Sequence, residues 1–91
     1  MENSEFREWC LVRAVAIEAA AKNPADIPSA ARVLYDFAHG GHVNADARRF
    51  ALMQAATALS MGYPRPPKTE DMSETQAVVA CAKHFLKFLC P

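Results

Sequence analysis

The sequence predicts an all-α fold: a compact, four-helix bundle-like single domain with a central, alanine-rich third helix. Three observations carry this. Eighteen of the 91 residues are alanine, the residue with the best intrinsic helix propensity. Four separate stretches repeat apolar residues at three-and-four spacing, and each is bounded by proline, glycine or capping residues. No stretch sustains period-two alternation, and no Asn-Gly or Asp-Gly hairpin signal occurs. The length fits one domain over residues 1–91.

The first helix is expected over about 4–22. Glu5 and Glu8 sit in its first turn and Lys22 in its last, as the helix dipole favours. Asn23-Pro24 stops it. Phe6, Trp9, Cys10, Ala16, Ile17 and Ala20 form its main apolar face. The second helix is expected over 27–39, with Asp26 and Pro28 at its start and Gly40-Gly41 at its stop. Ile27, Ala30, Ala31, Leu34, Phe37 and Ala38 make its buried stripe.

The third helix, over 45–61, has Asn44 as a candidate cap and Gly62 as a candidate left-handed stop. At about 100° per residue, Phe50 and Met61 point one way and Leu52 and Leu59 nearly the opposite way. A helix apolar on opposed faces asks for enclosure or for a second subunit. A proline-rich connector follows over 62–72, too rich in proline to be helical and long for a small bundle. The fourth helix is expected over 73–90. Ser73 with Gln76 makes a capping-box pattern, and Asp71 with Glu74 makes a competing one. Val78, Cys81, Ala82, Phe85, Phe88 and Leu89 form its stripe, with Lys83 and Lys87 opposite.

Composition narrows the function. Ten basic residues balance ten acidic ones, and the formal net charge is zero. Nucleic-acid binding draws most of its affinity from a basic surplus, which is missing here. A neutral chain also lacks the charge repulsion that keeps proteins monomeric. Cys10, Cys81 and Cys90 are odd in number and show no CxxC spacing, so no disulfide framework or zinc ribbon is indicated. Reduced thiols, an N-terminal stretch without the pattern of a signal peptide, and no bilayer-length apolar run predict a cytoplasmic, non-membrane protein.

Few residues suggest chemistry. His39 and His42 are spaced three apart, and Cys81 with His84 makes a second such pair. Nothing in the sequence brings the pairs together, and a helix stop explains the first more simply, so no metal and no cofactor are expected. The three cysteines lie on or beside apolar faces, where thiols are inert packing. No nucleophile–base pattern, phosphate loop or convergent carboxylates appear, and no enzyme activity is expected.

Six residues stand out as candidates for partner binding. Trp9 and Arg13 share one face of the first helix, and both residue types are enriched at interfaces. Within the fold, Arg13 has two other options: stacking on Trp9, or a pair with a carboxylate such as Asp36 or Asp46. Arg48 and Arg49 form an arginine pair at the start of the third helix. Tyr63 and Arg65 lie in the connector, whose Pro64-Arg65-Pro66-Pro67 run resembles a polyproline ligand in composition. A stiff connection is the simpler account of that run.

By exclusion, the expected function is a small non-enzymatic protein-interaction module that binds another protein, as adaptors, immunity proteins and inhibitors from mobile genetic elements do. A homodimer is its expected state. The alternative is a helix-turn-helix regulator, with Gly41 in the turn and Arg48 and Arg49 reading nucleic acid from the third helix. Phe37 would then sit where that motif wants alanine, and the third helix is too apolar for a groove.

Overall fold

The computed structural model describes residues 3–21, 24–40 and 45–90. Four helices make up its regular structure: α1 (Asn3–Ala19), α2 (Ile27–His39), α3 (Ala45–Ser60) and α4 (Glu74–Leu89). No strand occurs among the described residues. The candidate cap Asn44, the turn residue Gly41, His42, and Lys22-Asn23 lie outside those residues.

The start of α3 meets the end of α2 and the start of α1, through Arg48 on Phe37 and Arg49 on Phe6. The end of α1 meets the start of α4 through Glu18 and Thr75. Successive helices therefore run up, down, up and down. The most extensive pairings are α1 with α2 and α3 with α4, and α2 and α4 join the two pairs.

Local chemistry sets the helix ends. Asp26 caps α2, accepting from the Ser29 backbone at 3.1 Å and its hydroxyl at 3.0 Å. Beyond its end, a Cβ on Gly40 would come within 2.7 Å of the Asp36 carbonyl oxygen, so the close turn there needs glycine. α3 closes in a Schellman motif: Tyr63 N–H bonds the Ala58 carbonyl, Gly62 N–H bonds that of Leu59, and Gly62 has φ 96°. Of the two possible capping boxes on α4, Ser73 and Gln76 form the one present, each side chain accepting from the other's backbone at 3.2 Å.

The core is built from Phe6 and Cys10 of α1, Leu34, Phe37 and Ala38 of α2, Ala51, Leu52, Ala55 and Ala56 of α3, and Val78, Cys81 and Ala82 of α4. Alanines at these contacts bring helix axes close.

One face differs from the sequence expectation, and on a second the structure leaves open the side that the sequence expected to be either enclosed or covered by another subunit. Ala16 on α1 and Ala20 just beyond its end are exposed, and the buried line of the helix is Phe6, Cys10, Ala14 and Glu18. An apolar-face count misses this because it places a glutamate outside. Glu18 is fully buried, since its carboxylate accepts from Ala25 N–H at 2.7 Å and from the Thr75 hydroxyl. On α3, only one side is enclosed. Leu52 is buried and Leu59 half-buried, while Phe50 stays 54% and Met61 81% exposed. The other helices do not cover that side.

Candidate interaction surface

The six residues singled out in the sequence fall into three places. Trp9 and Arg13 do come together, the guanidinium standing 5.7 Å from the indole ring. Trp9 in turn stacks on Phe6, with centroids 5.6 Å apart and planes within 8°. Arg13 therefore takes the stacking option. The one ion pair among the described residues joins Arg65 and Glu74 instead.

Arg48 and Arg49 point into the fold. Arg48 donates from Nε to the Phe37 carbonyl at 2.9 Å, and its guanidinium lies 4.7 Å from that residue's ring. Arg49 covers Phe6 at 4.7 Å and reaches the Asn3 side-chain oxygen and His39 Nε2. His39 Nδ1 lies 3.1 Å from the Tyr35 carbonyl. A proton on Nδ1 serves that carbonyl and leaves Nε2 to accept from Arg49.

Arg65 acts as a strap. It donates to Glu74 Oε1 at 2.9 Å, to the Thr69 carbonyl at 2.6 Å and to the Met72 carbonyl at 3.1 Å. Thr69, buried, bonds back to the Pro66 carbonyl at 2.7 Å, and Lys68 between them takes φ 66°. The proline run is thus folded onto the domain through its own polar contacts. Tyr63 leaves the strap and sets its ring edge-on to Phe85 of α4, 5.8 Å away at 75°.

Of the six, Tyr63 and Arg65 adjoin the surface that stands out physically, both lining a groove that shares Phe85 with it. That surface lies between α3 and α4, where Phe50, Ala51, Gln54, Phe85, Phe88 and Leu89 line an open groove of about 250 Å³. Phe88 is 87% exposed and Leu89 39%. Phe85 is shared with a second groove bounded by Tyr63, Pro64 and Pro67. Arg65 and His84 also line that second groove, so the uncharged surface is the one between α3 and α4.

No charged residue lines the first groove. Lys83 and Lys87 lie on the other side of α4, beside Phe37, Arg48 and Leu86. Scattered exposed apolar side chains are ordinary, whereas aromatic rings gathered round an uncharged groove are a feature of this face that calls for an account.

The sequence reading placed Phe85, Phe88 and Leu89 on the buried stripe of α4. Val78, Cys81 and Ala82 of that stripe are buried, but Phe85 is half-buried and Phe88 and Leu89 are open. The stripe outruns the core that covers it. Helical periodicity reports that a face is apolar, not whether its cover lies within the same chain.

Two of the three thiols lie in the core. Burial pushes the Cys10 thiol up to about 11, against an opposing pull from the Arg49 guanidinium. Burial raises Cys81 as well. Cys81 is buried and His84 exposed, and both border the groove beneath the connector. Among the described residues no three His, Cys, Asp or Glu side chains gather as metal ligands do. Among them, too, no helix is long and apolar enough to cross a membrane.

Glu18 is the buried ionisable group that sequence reasoning missed. Burial by itself would raise its pKa. The Thr75 hydroxyl, Ala25 N–H and Thr75 N–H outweigh that and hold the carboxyl below its ordinary value. Its three donors turn it inward, toward the first turn of α4, where the helix dipole favours an anion. Its place is structural.

The chain matches no family model, no curated protein and no solved structure.

Proposed function

We propose that this chain is a small non-enzymatic protein-interaction module whose contact surface is the open face between α3 and α4. One observation carries the reading: Phe50 and Phe88 stand 54% and 87% exposed around a groove that no charged residue lines. The open parts of the two rings amount to roughly 300 Å², or about 7 kcal/mol of gross burial free energy at about 25 cal/mol per Å². Water is a poor partner for such a surface, and a protein face of matching shape is a good one. Adaptors, immunity proteins and small inhibitors act through surfaces of this kind, without chemistry of their own.

The regulator alternative needs Arg48 and Arg49 to face nucleic acid. Their bonds to Phe37, Asn3 and His39 and the outward Phe50 and Met61 favour the interaction module.

The test compares affinity capture by the native chain and by a Phe50→Ser, Phe88→Ser variant that keeps native circular dichroism. The reading expects a protein held by the first and lost by the second. Equal capture by both would remove the α3/α4 face from the function.

A further inference from the structure

Phe88 is more exposed than any other large apolar side chain among the described residues, and it is also part of the groove wall. The face thus carries an aromatic knob and, beside it, a groove of about 250 Å³, more than one phenyl ring fills. We propose that the occupant of this groove is a second copy of the chain. The copies are related by a two-fold axis beside α4, and Phe88 of each enters the α3/α4 groove of the other. This rests on the reading of that face as a docking surface.

Three features single out a second copy. The first is self-complementarity. An isologous contact must hold both halves of the fit on one patch, and knob and groove are neighbours here. The second is charge. The groove lining is uncharged, and Lys83 and Lys87 line a different groove, so the residues that pair in the two grooves carry no charge. A strongly acidic or basic partner, or an anionic lipid surface, would meet no counter-charge in it. The net charge of zero leaves little long-range repulsion between copies.

The third is area. The open fractions of Phe50, Phe88 and Leu89 come to roughly 350 Å² per copy, so two copies bury on the order of 700 Å² from these residues. Stable complexes bury about 1,200–2,000 Å² in total. The dimer is accordingly reversible, forming and dissociating in the micromolar-to-millimolar range. The residual exposure of these rings in a single copy is what such an equilibrium requires.

The experiment is sedimentation equilibrium on the full chain between about 5 µM and 1 mM, with isotope-filtered NOE spectra from mixed labelled and unlabelled copies. The expected mass rises from 10.0 kDa toward twice that with concentration. Phe88→Ser stays at the monomer mass throughout, with Phe88→Lys as a second variant. Lys83→Glu, on the other side of α4, associates as the native chain does. Intermolecular NOEs are expected from the Phe88 ring to Phe50 and Leu89.

A native chain that stays at the monomer mass at about 1 mM overturns the second-copy proposal. If its capture of another protein still depends on Phe88, the docking face survives with a different occupant. Flotation of a monomeric native chain with neutral phosphatidylcholine vesicles overturns the proposal in favour of lipid. If both Phe88 variants dimerise like the native chain, the dimer proposal is wrong for this face. If capture is also unchanged in them, the docking reading falls with it.

Discussion

Glu18, in the last turns of α1, accepts a hydrogen bond from the hydroxyl of Thr75, fifty-seven residues later at the start of α4. Its other oxygen accepts from Ala25 N–H at 2.7 Å. One carboxylate thus fastens the first helix to the last and pins the segment that leads into α2. Near the end of its own helix a negative charge opposes the dipole, and at the start of α4 it complements one. The packing between helices decides which field prevails.

Replacing Glu18 with alanine strands the N–H of Ala25 and the N–H and hydroxyl of Thr75 in a buried space. A loss of about 2–4 kcal/mol is expected, since each stranded polar group costs about 1–3 kcal/mol and water recovers part of it. Glu18→Gln keeps an acceptor and should lose less. Urea unfolding followed by circular dichroism measures both, and an alanine variant as stable as the native chain contradicts the burial of this carboxylate.

Acid should weaken the fold through the same group. The folded carboxyl lies below its ordinary value, so the unfolded chain takes up a proton first as pH falls. The stabilisation is present above the unfolded value of about 4.3 and is lost as pH drops through the folded one. Stability measured from about pH 6 downward should fall less steeply in Glu18→Gln than in the native chain.

Arg65→Ala should free the connector. The substitution removes the ion pair to Glu74 and two bonds to the Thr69 and Met72 carbonyls. The exposed ion pair contributes little, and the carbonyl contacts more, for about 1–2 kcal/mol in all. Arg65→Lys cannot restore the fork-shaped contact. Limited proteolysis should cut both variants within residues 63–72 faster than the native chain.

The cysteines should react in a fixed order. Cys10 and Cys81 are buried with raised thiol pKa values, whereas Cys90 is only half-buried. A thiol-exchange reagent at neutral pH should modify Cys90 first. Cys10 and Cys81 should follow only at the rate of unfolding. Mass spectrometry of quenched samples reads the order, and early labelling of Cys10 would contradict its position in the core.

Arg48→Ala and Arg49→Ala should each lower stability by about 1 kcal/mol, through lost cation–π and hydrogen-bond contacts. Neither should change retention on heparin at low salt. A salt-sensitive loss of retention in the double variant would revive the nucleic-acid alternative.

The helices were legible because caps and spacing are local. Asp26, Ser73 with Gln76, and Gly62 act within four residues of themselves, and each does in the structure what its side chain or lack of one allows. The fates of Glu18 and Phe88 depend on neighbours distant in sequence. A glutamate reads as surface until donors from two other segments close around it. A phenylalanine on a stripe reads as core until the stripe proves longer than what covers it. Arg13, Arg48 and Arg49, read from the sequence as partner contacts, each also lie against a ring of their own chain, and for Arg48 and Arg49 that ring is distant in sequence.

The two extensive pairings, α1 with α2 and α3 with α4, join neighbours in sequence. Chains whose contacts are this local fold quickly. On that basis the helical hairpins are expected to form first and the seam between them to close afterwards. Bonds across the seam, Glu18 to Thr75 above all, are then expected to form late, after the folding barrier. Weakening them should speed unfolding and leave the folding rate nearly unchanged.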